Sequence, residues 1–312
     1  MRQISGALVV FLMGFISMPS GRAGSVVPET PAPTADWKTT ASLSGGWRTD
    51  HVRWKIQFPD SGATGSSVLA WSEMHSLTTG VRLETLYQDH LYLRATGSFG
   101  GAVSGNNADT DYLGSYQYSK SVSGAAGSTF WETSLAVGWK FRILNDRLTL
   151  TPLLGLQYNY AWLRIRGGSF TDGESEGESL SDLNSSYRPN VLNGFIGESL
   201  EWTPTPWLRL TSGLQFGLGY YYARAQWILR DDFAQPLSFV HRGLAWTIEG
   251  DVAAEVLLTR HWSAFTRFYC RGSMVTNGQD RTQFSDGSSA ITELTTVTWV
   301  TLGVDLGIGF RF

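Results

Sequence analysis

The sequence predicts an all-β protein, a ten-stranded antiparallel transmembrane β-barrel, and three observations carry that prediction. The first is a two-residue alternation that runs to the last residue. Leu302, Val304, Leu306, Ile308, Phe310 and Phe312 fall in one phase, and Gly303, Asp305, Gly307, Gly309 and Arg311 in the other. Successive side chains of a strand point to opposite faces, so this segment has one apolar face and one that is small or charged. The second is a regular alternation of very short with long connections between segments of this kind. The third is composition: 35 Gly with 13 Trp, 12 Tyr and 16 Phe among 312 residues suits strands, tight turns and aromatic interface belts better than helices.

The elements follow in chain order. Arg2 precedes an apolar run from Ala7 to Ile16, and Gly21-Arg22-Ala23 supplies small residues for cleavage, so residues 1–23 read as a signal peptide and imply export. Residues 24–36, with "PETPAP" at their centre, read as a stiff Pro-rich leader, and residues 37–312 as the barrel. Short connections are expected at Gln88 to His90, Ile143 to Arg147, Thr203 to Trp207 and Thr259 to His261. Long ones are expected at Pro59 to Ser66, Ser104 to Ser128, Gly167 to Asn190, Ile228 to Arg242 and Val275 to Thr296. The strands between them span about 37–58, 67–87, 91–103, 129–142, 148–166, 191–202, 208–227, 243–258, 262–274 and 297–312. Short periplasmic turns and five long external loops are the pattern of the bacterial outer membrane, with the loops at the cell surface. Closure of the sheet is required there, because an open edge in hydrocarbon leaves backbone groups unpaired.

One phase of these strands is greasy, for example Trp131, Leu135, Val137, Trp139 and Phe141, or Leu208, Leu210, Leu214, Phe216 and Leu218. The other carries Arg82, Glu84, Arg94, Glu132, Lys140, Arg209, Glu249, Asp251, Glu255, Arg267, Arg271, Asp305 and Arg311. These charges nearly cancel, and buried charges must be paired, so a plugged and salt-bridged lumen is expected. Higher on the greasy phase, Tyr158, Tyr160 and Trp162 lead to Arg164 and Arg166, and Tyr220 and Tyr222 lead to Arg224. Aromatic residues mark the headgroup level, so guanidinium groups just above them are expected to meet outer-membrane lipid and the phosphates of lipopolysaccharide.

The net charge of −3 argues against nucleic-acid binding. Cys270 is the only cysteine, which excludes an intramolecular disulfide. No His and Cys cluster, phosphate loop or nucleophilic triad can be assembled, so no cofactor and no metal are expected. The sharpest polar cluster is "SGNNADTDYLG" at residues 104–114. On an extended segment Asp109 and Asp111 point to the same side, where two carboxyls can share a proton and hold a water; solvated turn chemistry or a weak cation site are the plainer readings. The third loop carries Asp172, Glu174, Glu176, Glu178 and Asp182, a negative rim that attracts a cationic peptide or protein, or else a plain solvated loop.

The ten strands, five long loops and "NADTDY" resemble the omptins, the outer-membrane endopeptidases of Gram-negative bacteria, and the omptin-like barrels of the Protochlamydia outer membrane protein group. Leu43-Ser44-Gly45, "LAWSEM" over Leu69 to Met74, and Arg166-Gly167-Gly168-Ser169-Phe170 extend the likeness. The resemblance implies an Asp pair at Asp109 and Asp111 facing an Asp-x-His pair, with a water between them that attacks a peptide bond. The second pair falls in "ILRDDFAQPLSFVHRG", where Asp231 takes the acidic position but Phe233 stands where the His is required. Phenylalanine cannot take a proton from water. His241, ten residues beyond Asp231, is the one replacement in that loop, expected on its exposed descending arm. The sequence therefore predicts an omptin-like barrel that binds or supports at the surface without proteolysis. An endopeptidase cleaving near basic residues is the alternative, using Asp109, Asp111, Asp231 and His241, and a small porin is the third reading.

Overall fold

The computed structural model describes residues 37–60, 63–144 and 147–312. The signal peptide and leader expected over residues 1–36 lie outside the described residues. Thirteen strands follow in order: β1 (Trp37–Asp60), β2 (Ala63–Tyr87), β3 (Leu91–Ala102), β4 (Asn106–Leu113), β5 (Tyr116–Gly124), β6 (Thr129–Trp139), β7 (Phe141–Ile143), β8 (Leu148–Gly173), β9 (Asn184–Thr205), β10 (Leu208–Gln226), β11 (Phe239–Leu257), β12 (Trp262–Gln283) and β13 (Ser289–Arg311). All pairings are antiparallel, and β1 pairs with both β2 and β13, so the sheet closes on itself.

The wall has two storeys. At the end that carries the short turns, ten staves form the ring: β1, β2, β3, β6, β8, β9, β10, β11, β12 and β13. Toward the loop end, the β4–β5 hairpin stands in for β3 and β6, with β4 paired to Gly65–Ser72 of β2 and β5 to residues 166–173 of β8. The segment expected as the second long loop is thus mostly wall, because the tall neighbours β2 and β8 would otherwise expose unpaired edges. The short strand β7 continues β6 after a one-residue gap. Pro152 of β8 falls opposite Trp139, the last residue of β6, by register and has no N–H to donate, while on the β3 side the Lys140 N–H donates to the His90 carbonyl at 2.8 Å.

The strands overrun the expected boundaries mainly at the loop end, although β9 also runs three residues past 202 at the turn end. β8 extends to Gly173, β9 begins at Asn184, β12 reaches Gln283 and β13 begins at Ser289. Above the bilayer the outer face has no need to be apolar, so "SAITELTT" at the start of β13 pairs well without alternating.

Inside and outside sort by parity. Leu154, Leu156, Ile196, Leu214, Phe216, Leu302, Leu306 and Ile308 are exposed on the outer face. Exposed Trp37, Trp139, Trp202, Trp207, Trp262 and Phe312 ring the turn end of this band, and Trp47, Phe99, Trp131, Tyr220 and Trp246 its upper margin. One carboxyl breaks the pattern. Glu198 of β9 shares the outward phase with Ile196 and Leu200, and its register partners are Pro152 and Leu214.

The lumen of the lower storey is filled with ions. Arg48 forks onto Asp50 at 2.5 and 2.6 Å and reaches Glu132 at 2.7 Å, and Glu132 also pairs with Arg271. Arg267 lies 3.4 Å from Glu249, 3.5 Å from Asp251 and 3.8 Å from Asp305. Nearer the turns, Arg209 bridges Glu201 at 3.4 Å and Glu255 at 2.9 Å, with Lys140 and Arg311 at the flanks. Sequence parity had found most of this set but not Arg48, Asp50 or Glu201. Two cavities of about 80 Å³ each remain between the charges. The upper storey is filled differently, by an apolar core that includes Trp54, Trp71, Phe130, Leu163, Tyr187, Val191, Tyr221 and Phe239.

Candidate functional site

A cavity of about 420 Å³ opens at the loop end above that apolar core. On β4 the two-residue period gives Asn107, Asp109 and Asp111 one face, and both aspartates line the cavity. Ser67 of β2, directly opposite Asp111 in register, donates to Asp109 Oδ1 at 3.3 Å. Trp54, Ile56 and Phe58 of β1 form an apolar wall, and Phe58 lies flat against Gly65, where a Cβ would collide with its ring. Asp280 and Thr282 of β12 and Thr292 of β13 line the same cavity. Trp227, Arg230 and Phe233 enter it from the β10–β11 segment, residues 227–238.

Electrostatics follow from this enclosure. Burial, and then the neighbouring Asp111 charge, push the Asp109 carboxyl up to about 7, against the opposing pull of Ser67 and Arg230. Burial likewise raises Asp111. Arg230 is held as a cation first by its hydrogen bonds to Asp232, at 2.8 and 2.6 Å, with the Asp111 and Asp109 charges adding to it.

Behind Asp280 lies a chain of buried polar groups. Asp280 Oδ2 accepts from Thr282 at 3.0 Å and from Thr292 at 2.9 Å. Its Oδ1 is 3.2 Å from His241 Nε2. His241 Nδ1 and the Tyr187 hydroxyl are 2.7 Å apart, and the Tyr187 and Tyr221 hydroxyls 2.5 Å apart. His241 stacks on Phe239 and meets the edge of Trp54, so its ring is fixed on every side.

The structure therefore brings Asp109 and Asp111 together and corrects the other two residues. Asp231 is exposed and does not line the cavity, whereas its neighbour Arg230, also exposed, lines the cavity at its mouth. His241 is no loop residue: β11 begins at Phe239, and parity drives Phe239 and His241 into the core. Phe233 occupies the cavity wall, with the Arg230 guanidinium 4.2 Å above its ring. Asp280 and Arg230 were missed by sequence reasoning. "NGQD" around Asp280 carries turn residues and was assigned to a loop, and only the β11–β12 register, which sets His241 opposite Asp280, reveals the pair.

On the outer surface, Arg164 stacks over Trp162 at 3.8 Å, and Arg188 approaches the same ring at 4.8 Å. Arg224 donates to the Tyr222 hydroxyl at 2.8 Å, and Arg242 lies 5.8 Å from that ring. Arg166 is exposed next to this group. Arg188 and Arg224 are direct register partners. Among the described residues none of these five arginines forms an ion pair with a carboxylate. Arg188 and Arg242 escaped the sequence reading because the expected strands began a few residues too late.

A closed antiparallel ring of ten staves, girdled by aromatic residues and greasy on its outside, defines an outer-membrane β-barrel of omptin-like fold. The chain belongs to the family described as Protochlamydia outer membrane protein, whose model matches residues 42–312. Among solved structures it is similar to the outer membrane protease OmpT from Escherichia coli, at 12% identity and a TM-score of 0.71, over 91% of this chain and 99% of that one. It is more distantly similar to OprG from Pseudomonas aeruginosa, at 10% identity and a TM-score of 0.34, over 88% and 95% of the two chains. No curated protein matches the sequence.

Proposed function

We propose that this outer-membrane barrel is a surface binding protein whose loop-end cavity, facing outward from the cell, accepts a cationic group of an external peptide or protein without cleaving it. The observation that carries this reading is the lining: Asp109, Asp111 and Asp280 converge in one aromatic-walled space. Carboxylates supply charge and aromatic faces supply cation–π attraction, which together suit a guanidinium or ammonium group. Phe233, which stands where the resemblance to omptins calls for a histidine, lines this cavity and has no group that accepts a proton. His241 does not line the cavity, and both its ring nitrogens already face Tyr187 and Asp280. The arginine row at Arg164, Arg166 and Arg224, extended by Arg188 and Arg242, suits the phosphates of lipopolysaccharide, with the aromatic rings below it at the headgroup level. We do not favour a porin, since ion pairs fill the lower lumen and an apolar core fills the upper one.

A second reading is favoured by one observation. The Asp109 and Asp111 pair shares its cavity with Asp280, whose Oδ1 is beside His241, so two carboxyls share a space large enough for water with the aspartate of an Asp–His pair. That arrangement suits an endopeptidase. A fluorogenic Arg-containing peptide, offered to the protein refolded with lipopolysaccharide, separates the two. Binding without turnover is expected, whereas turnover that disappears in Asp111→Ala would replace the first reading by the second.

A further inference from the structure

The β10–β11 segment is a built latch. The Ala234 N–H donates to the Gln283 carbonyl at 2.9 Å, and the Ser285 N–H to the Asp232 carbonyl at 2.9 Å, so residues 232–234 are stitched to the end of β12. Phe233 and Phe284 meet edge to face at 6.1 Å across the same stitch. At the other end, the Ile228 N–H donates to Ser185 at 3.1 Å and the Trp227 N–H to Ser238 at 2.9 Å. Arg230 sits between these two anchors with its guanidinium already oriented, stacked on Phe233 and forked onto Asp232. Yet among the described residues it makes no ion pair with Asp109 or Asp111, although their charges act on it.

We propose that Arg230 is a resident competitor at this site, a guanidinium of the protein itself that guards the cavity mouth and must be outbid by an incoming cation. This rests on the reading of the cavity as a cation site. Three features support it. Arg230 is the cation that lines the cavity. Its placement on an aromatic face beside carboxylates is the environment a foreign guanidinium would seek. And Asp232, which is exposed, holds Arg230 at the mouth, so that the inner carboxylates are screened rather than consumed. The arrangement lowers the affinity of every incoming cation: a single guanidinium binds less tightly than the carboxylates alone would hold it, and a ligand with several basic groups overcomes the Arg230 charge more readily.

The test uses the full-length barrel folded in detergent, titrated with Nα-acetyl-arginine amide and followed by intrinsic tryptophan fluorescence, to which the cavity-lining Trp54 and Trp227 contribute, and by calorimetry. Arg230→Ala is expected to tighten binding about tenfold or more, since a like charge that lines the same cavity is removed. Arg230→Lys, which keeps the charge without the planar fork, should give a smaller gain. Asp232→Asn, which releases Arg230 toward the inner aspartates, should weaken binding several-fold. If the unaltered protein binds the probe and Arg230→Ala binds it equally or less tightly, Arg230 is not a competitor, although the cation site stands. If neither binds the probe, the cation site itself is overturned and this inference with it.

Discussion

His241 of β11 and Asp280 of β12 are register partners whose side chains meet inside the barrel, Nε2 to Oδ1 at 3.2 Å, and both are fully buried. Two threonine hydroxyls and the Tyr187–Tyr221 pair complete the surroundings of this couple. Removing one member of a buried polar cluster strands the others without water. Asp280→Ala should therefore cost about 3 kcal/mol, and Asp280→Asn less, because an amide still accepts from Thr282 and Thr292. Urea unfolding of the folded barrel measures both, and a loss below about 0.5 kcal/mol for the alanine variant would show that the couple is not structural.

The raised Asp109 carboxyl makes a pH prediction with a definite sign. Its folded-state value of about 7 lies above the ordinary carboxylate value of about 4, so the folded protein holds this proton more tightly than the unfolded one. The associated stability is complete below about pH 4 and is lost as the pH rises through about 7. Asp109→Asn should hence stabilise the protein at pH 8 and change little at pH 4. Equal effects at both values would contradict the raised carboxyl.

Cation binding should run the other way. The cavity gains negative charge as Asp109 loses its proton, so affinity for an arginine amide should climb between pH 5.5 and 8, and Asp109→Asn should flatten that climb. A profile that falls toward pH 8 would rule out Asp109 as the counter-charge.

The outer arginine row offers a separable test. Arg188 and Arg224 face each other with no carboxylate to neutralise them. Arg188→Ala and Arg224→Ala should each lower affinity for lipopolysaccharide about tenfold, or about 1.4 kcal/mol, without altering arginine-amide binding in the cavity. Retention of full affinity in the double variant would remove the row from consideration as a phosphate site.

Glu198 supplies the last prediction. A carboxyl among lipid-facing leucines is costly, and nothing in the described wall pairs with it. Glu198→Leu should raise stability by about 1–2 kcal/mol in refolding titrations from urea into bilayers. A loss of stability instead would mean that the carboxyl has a partner in the membrane.

What could be read in advance divides at the membrane surface. Where lipid covers the wall, outward positions are nearly all apolar, so parity identified Leu302 to Phe312, part of the upper aromatic belt and most of the ionic lumen. Above the bilayer both faces tolerate polar residues, and alternation fades although pairing continues. The overrun of β8, β12 and β13 and the wall formed by β4 and β5 were lost for that reason. Asp109 and Asp111 were legible as a pair because two-residue spacing is itself a strand property. Asp280 was not, because its meaning depends on a partner 39 positions earlier, supplied by register alone. The miss of Arg230 has a simpler cause: the adjacent Asp231 fits the resemblance, and along a turning chain only one of two exposed neighbours reaches over the cavity mouth.

The two fillings of the column bear on how the cell could use it. Trp54, Trp71, Phe130 and Tyr187 sit like a cork between the upper cup and the ionic shaft beneath. The cup therefore stands on a closed floor, so a ligand that entered it at the loop end would leave by the same way, and any effect of its binding on the far end would pass through the staves rather than down the lumen.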